Sequence, residues 1–274
     1  MIASKPGGFD VAADILNRRL HQEKTQRQEH TAEVIDAGRH LIRQMPFTKE
    51  CNSHRDYSWG PIIRSCLVGD IGAAIVKDVC RRLKEAVSAY TAYSFYNDDL
   101  IAGLFAVHPT TAPDAFCGGE LKQLEQGLRM IQDLRQNPLD AVPENELFAW
   151  YDQEPRVRHP AVASAITICH GKEENAPKQW TKLALHLFER APERSEVLKQ
   201  YVAQIRLTCI FARATYLDSF AKLLDEFAVC PDPAVVQLLA QKKDRLRREA
   251  EARRLSETTA ERTRDERFER TFSP

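Results

Sequence analysis

Between Ile62 and Val87 the apolar residues recur mostly at steps of three and four: Ile62, Ile63, Leu67, Ile71, Ala74, Ile75, Val79, Leu83 and Val87. That spacing lays a stripe along one face of an α-helix, and a stripe this long has to be covered by other elements. Pro61 suits the first helical turn, where its missing N–H costs nothing. Gly69 and Gly72 make a bend or break near the middle reasonable, since each glycine costs about 1 kcal/mol relative to alanine inside a helix. A half-buried strand would alternate instead, and no long segment does; even Ala161–Cys169 fits a short helix at least as well. Only 11 Gly and 14 Pro occur in 274 residues, which suits a mostly helical chain.

The same reading extends outward. Asp10 is placed to cap a helix from Val11 towards residue 26, with Val11, Ile15, Leu16 and Leu20 as its apolar face. A second helix is expected from Ala32 to Met45 through Val34, Ile35, Leu41 and Ile42, stopped by Pro46. Residues 47–60 and 110–119 read as loops. Asp98 reads as the cap of a helix that ends at His108-Pro109, and Leu121, Leu124, Leu128, Ile131 and Leu134 mark another. Further helices are expected over 143–151, 160–170, 177–190, 194–206, 209–228 and from 233 onward. Leu104-Phe105-Ala106-Val107-His108-Pro109 and Leu187-Phe188-Glu189-Arg190-Ala191-Pro192 each describe a helix ending at proline before a new apolar face. The fold expected is all-α, with irregular antiparallel helical hairpins stacked as a short HEAT-like α-solenoid. Residues 1–9 are expected to be a flexible N-terminus, 10–240 the helical scaffold, and 241–274 a charged terminal helix and tail.

Charge and composition narrow the function. Lys+Arg and Asp+Glu both number 39, so the bulk basic excess of a phosphate-backbone binder is missing. No stretch is apolar enough for a membrane span, and residues 1–8 lack the apolar run of a secretory signal. Seven scattered cysteines read as reduced, buried thiols of a cytoplasmic chain.

Candidate chemistry is sparse. Cys51 and His54 have the spacing of a local ligand pair, but a structural zinc needs four converging ligands. On one continuous helix Cys66 and Cys80 would lie about 21 Å apart along the axis, too far for one metal. Cys169 and His170 are adjacent and do not face one another on a helix; His159 reads as a helix-entry residue, and His186 as a half-buried surface one. Asp98-Asp99 and the pair Glu144 and Glu146 read as first-turn acids. The phosphate loop, HExxH, GxGxxG and GxSxG patterns are absent. The sequence therefore indicates no catalytic residue, metal or cofactor. Trp59, Trp150 and Trp180 are candidate packing anchors or partner contacts. From Lys242 to Arg270 there are 11 basic and 8 acidic residues, and Arg245, Arg247, Arg248, Arg253 and Arg254 are candidate phosphate contacts, offset by Glu249 and Glu251. A weaker basic set, Arg81, Arg82 and Lys84, stands near Tyr90 and Tyr93.

The segments Leu104–Pro109, Asn137-Pro138-Leu139-Asp140-Ala141-Val142-Pro143 and Gln179-Trp180-Thr181-Lys182-Leu183-Ala184-Leu185 resemble packing and turn signatures of a known kind. Together with apolar segment 187–198 and Arg264-Asp265-Glu266-Arg267-Phe268-Glu269, they make residues 10–270 similar to helical, solenoid-like C-terminal regions of large uncharacterised bacterial proteins. Some of those accompany NTPase or defence modules. The resemblance transfers no catalytic residue; it implies a bacterial, cytoplasmic setting and a place in antiviral defence. The function expected is a non-catalytic scaffold that binds a protein partner or a larger multidomain assembly. The alternatives are a nucleic-acid-contacting accessory subunit and an enzyme whose distant residues converge on a helical active site.

Overall fold

A computed structural model describes residues 8–25, 29–48, 59–171, 178–208 and 213–272. The described chain is all-α, apart from one pairing of two-residue strands. It divides into two compact units, Met1–Ile166 and Thr167–Pro274. The division falls inside the 10–240 segment expected to be one scaffold. Residues 1–7 of the expected flexible terminus lie outside the described residues, while Gly8 and Phe9 already belong to a helix.

The first unit holds α1 (Gly8–Thr25), α2 (Ala32–Arg43), α3 (Trp59–Cys66), α4 (Gly69–Ser88), α5 (Asp98–Val107), α6 (Thr111–Cys117), α7 (Leu121–Gln132), α8 (Glu144–Tyr151) and α9 (Pro155–Ala163). Short 3-10 turns stand at Ser94–Tyr96 and Pro138–Ala141. Its packing order is regular at the start: α1 lies on α3, α2 on α4, α3 on α5 and α4 on α6. Further on, α6 packs on α7, α7 on α9 and α8 on α9. The buried face of α1 is Phe9, Ala13, Leu16 and Leu20. Val11 and Ile15, expected to share that face, are 51% and 53% exposed, because they stand roughly 200° and 240° around the helix from Phe9.

The long stripe is two helices. Leu67 and Val68 separate α3 from α4, and Gly69 enters α4 with φ of 74°. A side chain at Gly72 would put its Cβ 2.0 Å from the Leu67 carbonyl oxygen, so only glycine fits that position. Carbonyls freed by the break find side-chain donors: Arg39 Nε donates to Cys66 O at 2.9 Å and Arg39 Nη2 to Val68 O at 3.3 Å. A His108 ring nitrogen hydrogen-bonds Leu67 O. The break is thus satisfied from α2 and from the end of α5.

Three expectations are corrected here. Residues 111–117 form α6, not loop: Pro113 falls within its first turn, and Ala112, Pro113, Phe116 and Cys117 are buried. The helix placed at 160–170 instead runs Pro155–Ala163, with Pro155 as its first residue and Pro160 inside it, so His159 sits mid-helix rather than at the entry. Asp98 is the first residue of α5 rather than its cap; Asn97 takes that position, and the Asp98 carboxylate accepts from Arg135 Nε.

The end of α4 closes with a Schellman arrangement: Tyr90 N donates to Val87 O at 3.0 Å and Thr91 N to Ala86 O at 2.9 Å. Its left-handed position, usually glycine, is Tyr90 at φ 57° with a 77% exposed residue. A side chain there costs about 1–2 kcal/mol of backbone strain. Tyr90→Gly is therefore expected to stabilise the chain by about 1 kcal/mol in urea denaturation; a loss of stability would show that the tyrosine ring is held by contacts that outweigh the strain.

The second unit holds β1 (Cys169–His170), β2 (Gln179–Trp180), α10 (Lys182–Arg190), α11 (Arg194–Thr208), α12 (Ala214–Leu223), a 3-10 turn at Leu224–Val229, and α13 (Pro233–Phe272). The strands pair antiparallel, Cys169 against Trp180. Trp180 lies 4.6 Å from the Phe227 ring and 5.4 Å from Tyr201, and its Nε1–H donates to Leu223 O at 3.0 Å. Phe188 stacks on Phe227 at 4.1 Å, and the Tyr201 hydroxyl donates to Ala184 O at 2.8 Å. The helix expected over 209–228 is shorter, since Ala214–Leu223 tightens into the 3-10 turn that brings Phe227 into this cluster.

The terminal helix is one element from Pro233, with no boundary at 241. Val235, Leu239, Leu246 and Ala250 are buried along it and form a single face against α12 and the 3-10 turn. Lys243 pairs with Asp225 and Arg254 with Asp218. Glu257 continues the buried face by accepting the N–H of Ala214, the first residue of α12, at 3.2 Å. That carboxylate meets the N-terminus of α12, where negative charge is favoured.

Candidate functional site

The polar clusters inside the first unit are closed upon themselves. His159 is 1% exposed, with Nε2 2.8 Å from Asp152 Oδ1 and the Tyr151 ring edge-on at 4.8 Å. A histidine–carboxylate pair can relay protons; here the ring lies in the interior, edge-on to Tyr151. Next to it the Arg158 guanidinium lies 4.9 Å from the Trp150 ring centre and donates to Trp150 O at 2.9 Å, Gln153 at 3.1 Å and Glu154 at 2.8 Å. These bonds staple the corner between α8 and α9. At the end of α1, Glu23 is 2% exposed and takes bonds from His30 at 2.9 Å and Arg19 at 2.8 Å. Those hydrogen bonds, His30 first, hold its carboxyl below the usual range.

Burial also governs the thiols within the helices of the first unit. Cys66 ends α3 and Cys80 lies in α4, on separate helices. Burial pushes the Cys66 thiol up to about 11 and the Cys80 thiol up to about 12, and raises Cys117 and Cys169 as well. Cys169 and His170 are neighbours in β1, so their side chains leave opposite faces of the strand. Cys51 and His54 lie outside the described residues. Among the described residues no group of three or more His, Cys, Asp or Glu is placed to hold a metal ion. Iodoacetamide at pH 8 followed by peptide mapping is expected to modify half-buried Cys169 before Cys66, Cys80 and Cys117. Cys66 and Cys80 should react about two orders of magnitude more slowly than in denaturant; equal rates for all would contradict the packing.

The expected interaction residues fall into two environments. Trp59, Trp150 and Trp180 are buried, at 2%, 2% and 6% exposure. Arg247, Arg248, Arg253 and Arg254 are exposed. Arg247 stands 3.9 Å from Asp244, Arg248 donates to Asp244 O at 3.3 Å, and Arg254 pairs with Asp218. The weaker set is engaged too. Arg81 sits between Asp78 at 2.7 Å and Glu85 at 2.8 Å, and Arg82 donates to Arg43 O at 2.7 Å at the end of α2. No described helix is long and apolar enough to cross a membrane.

A groove of about 620 Å³ lies in the second unit between α11 and α13. Its floor is Ile205, Leu224 and Leu246, with Val202, Ala203 and Leu238 along the sides. Its rim is Lys199, Gln241, Lys242, Arg245 and Glu249. The volume falls within the roughly 300–1,000 Å³ typical of small-molecule clefts. Arg245 bonds Glu249 at 2.7 Å and Lys199 bonds Glu196 at 2.6 Å, whereas Lys242 has no ion-pair partner among the described residues.

The helical period explains the groove. Val235, Leu239, Leu246 and Ala250 make the face turned to α12, and Leu238, Lys242, Arg245 and Glu249 make a second stripe roughly 80° away. Val235, Val236, Leu238 and Leu239 stand together at the start of α13. Two of them lie off the buried face: Val236 is 48% exposed and Leu238 lines the groove. The missed signal was surplus: four apolar residues in five positions cover more than one helix face. Comparison with family models, curated proteins and solved structures gave no match.

Proposed function

We propose that this chain is a non-catalytic helical scaffold that binds a protein partner within a larger bacterial assembly. The observation that carries the reading is the groove between α11 and α13, an apolar trough rimmed by charge on the surface of the second unit. Protein-recognition surfaces combine such an apolar centre with a polar rim. The interior polar clusters, by contrast, spend their hydrogen bonds on holding helix ends.

The finer architecture, stacked HEAT-like hairpins, draws support from the packing of α1 on α3, α2 on α4, α3 on α5 and α4 on α6. Each hairpin then covers the apolar face of the next, as in a solenoid. A reducing, cytoplasmic setting draws support from the five described cysteines, all free. The link to antiviral defence rests on the resemblance alone.

The test is affinity capture with the full chain as bait, each hit re-examined with purified components at native salt. A stoichiometric protein partner is expected. Reproducible turnover by the isolated chain with no confirmed partner would overturn the proposal. Nucleic-acid contact through exposed Arg247 and Arg248 is the second reading, favoured by their position on the solvent side of α13. It requires salt-dependent binding that weakens when both become alanine.

A further inference from the structure

We infer that the groove between α11 and α13 receives an amphipathic helix with acidic flanks, an occupant that rests on the scaffold reading and specifies its partner. The apolar side of the argument is geometric. Leu238 to Glu249 are twelve residues of α13, about 16 Å of trough, which matches about three turns of a docked helix. Ala203, Gln241 and Arg245 are exposed along it, so the trough opens to solvent at its rim. Floor residues Ile205, Leu224 and Leu246 give an apolar bed for side chains at i, i+3 or i+4 and i+7 of the incoming helix.

The charge side decides the flanks. Of the rim cations, Lys199 pairs with Glu196 at 2.6 Å and Arg245 with the rim carboxylate Glu249 at 2.7 Å, which leaves Lys242 as the one in excess among the described residues. Lys242 is half-buried at the rim with no ion-pair partner among the described residues, so its ammonium is the group that an incoming carboxylate would meet. Such complementary charge accelerates encounter and rejects partners of the same sign more than it adds affinity.

Two fluorescein-labelled helical peptides with the same leucine stripe, one flanked by Glu and one by Lys, test this by fluorescence polarisation with the full chain. The Glu peptide is expected to bind at least about tenfold more tightly, and to weaken as salt is raised. Two surface variants localise it: Lys242→Glu combined with Arg245→Glu should reverse the preference, and Ala203→Trp, at an exposed lining position, should block both peptides. Circular dichroism checks that each variant is folded. Equal binding of the two peptides, no binding of either, or indifference to all three substitutions overturns the inference, and so does palmitate binding in place of the peptides. If a captured protein partner binds these variants normally, the scaffold reading stands and the groove assignment falls; if no partner is confirmed while the Glu peptide binds as described, the reverse holds.

Discussion

Trp180→Ala is expected to lower the stability of the chain by about 4 kcal/mol, the cost of removing a buried indole from a packed core. Trp180 is 6% exposed and touches both Phe227 and Tyr201, so truncation leaves an unfilled space at the centre of the aromatic cluster. The loss has a polar part too: Nε1 donates to Leu223 O in the last turn of α12. Trp180→Phe keeps most of the ring but strands that carbonyl, and should cost about 1–3 kcal/mol. Urea titration followed by circular dichroism at 222 nm measures both. Equal losses for the two variants would show that the hydrogen bond, not the ring, dominates. A loss under about 1 kcal/mol for Trp180→Ala would refute the packing of the cluster.

Gly127→Ala should be nearly as damaging, and in the direction opposite to propensity. Gly127 lies within α7, where alanine is ordinarily favoured over glycine by about 1 kcal/mol. Here an added Cβ would stand 2.2 Å from Phe116 O and 3.0 Å from Cys117 Cα, both backbone atoms at the end of α6. Backbone cannot rotate out of the way as a side chain can, so α7 must move away from α6. Overpacking of this kind costs about 3 kcal/mol. A stabilised Gly127→Ala variant would mean that the two helices are further apart than described.

The helices most legible in the sequence were those whose ends carry their own chemistry. α2 starts at Ala32 as expected, α7 follows Glu120, whose N–H is accepted by the Gln123 side chain at 3.2 Å, and α8 runs Glu144–Tyr151 after Pro143. The errors came where proline has two meanings. Pro113 and Pro155 begin helices and Pro160 is tolerated within one, so proline by itself separates a stop from a start poorly. Rotation around a helix was the other source of error. Val11 and Ile15 are apolar and suitably spaced, yet the alternative stripe Phe9, Ala13, Leu16 and Leu20 was the one that found a partner.

The groove was legible only in fragments. Arg245 reads as a candidate phosphate contact, but nothing local joins it or Leu238 to Val202 and Ala203 on α11. What the sequence settled alone was the dominance of helix, because a period near 3.6 is a property of neighbouring residues and needs no partner to be read. Which face of each helix is buried, where the long stripe breaks, and which charged residues are left over to meet another molecule were decided by tertiary packing. Those outcomes depend on residues far apart in the chain: Arg39 and His108 meet the carbonyls of the α3–α4 break, and α11 stands beside α13 to form a trough.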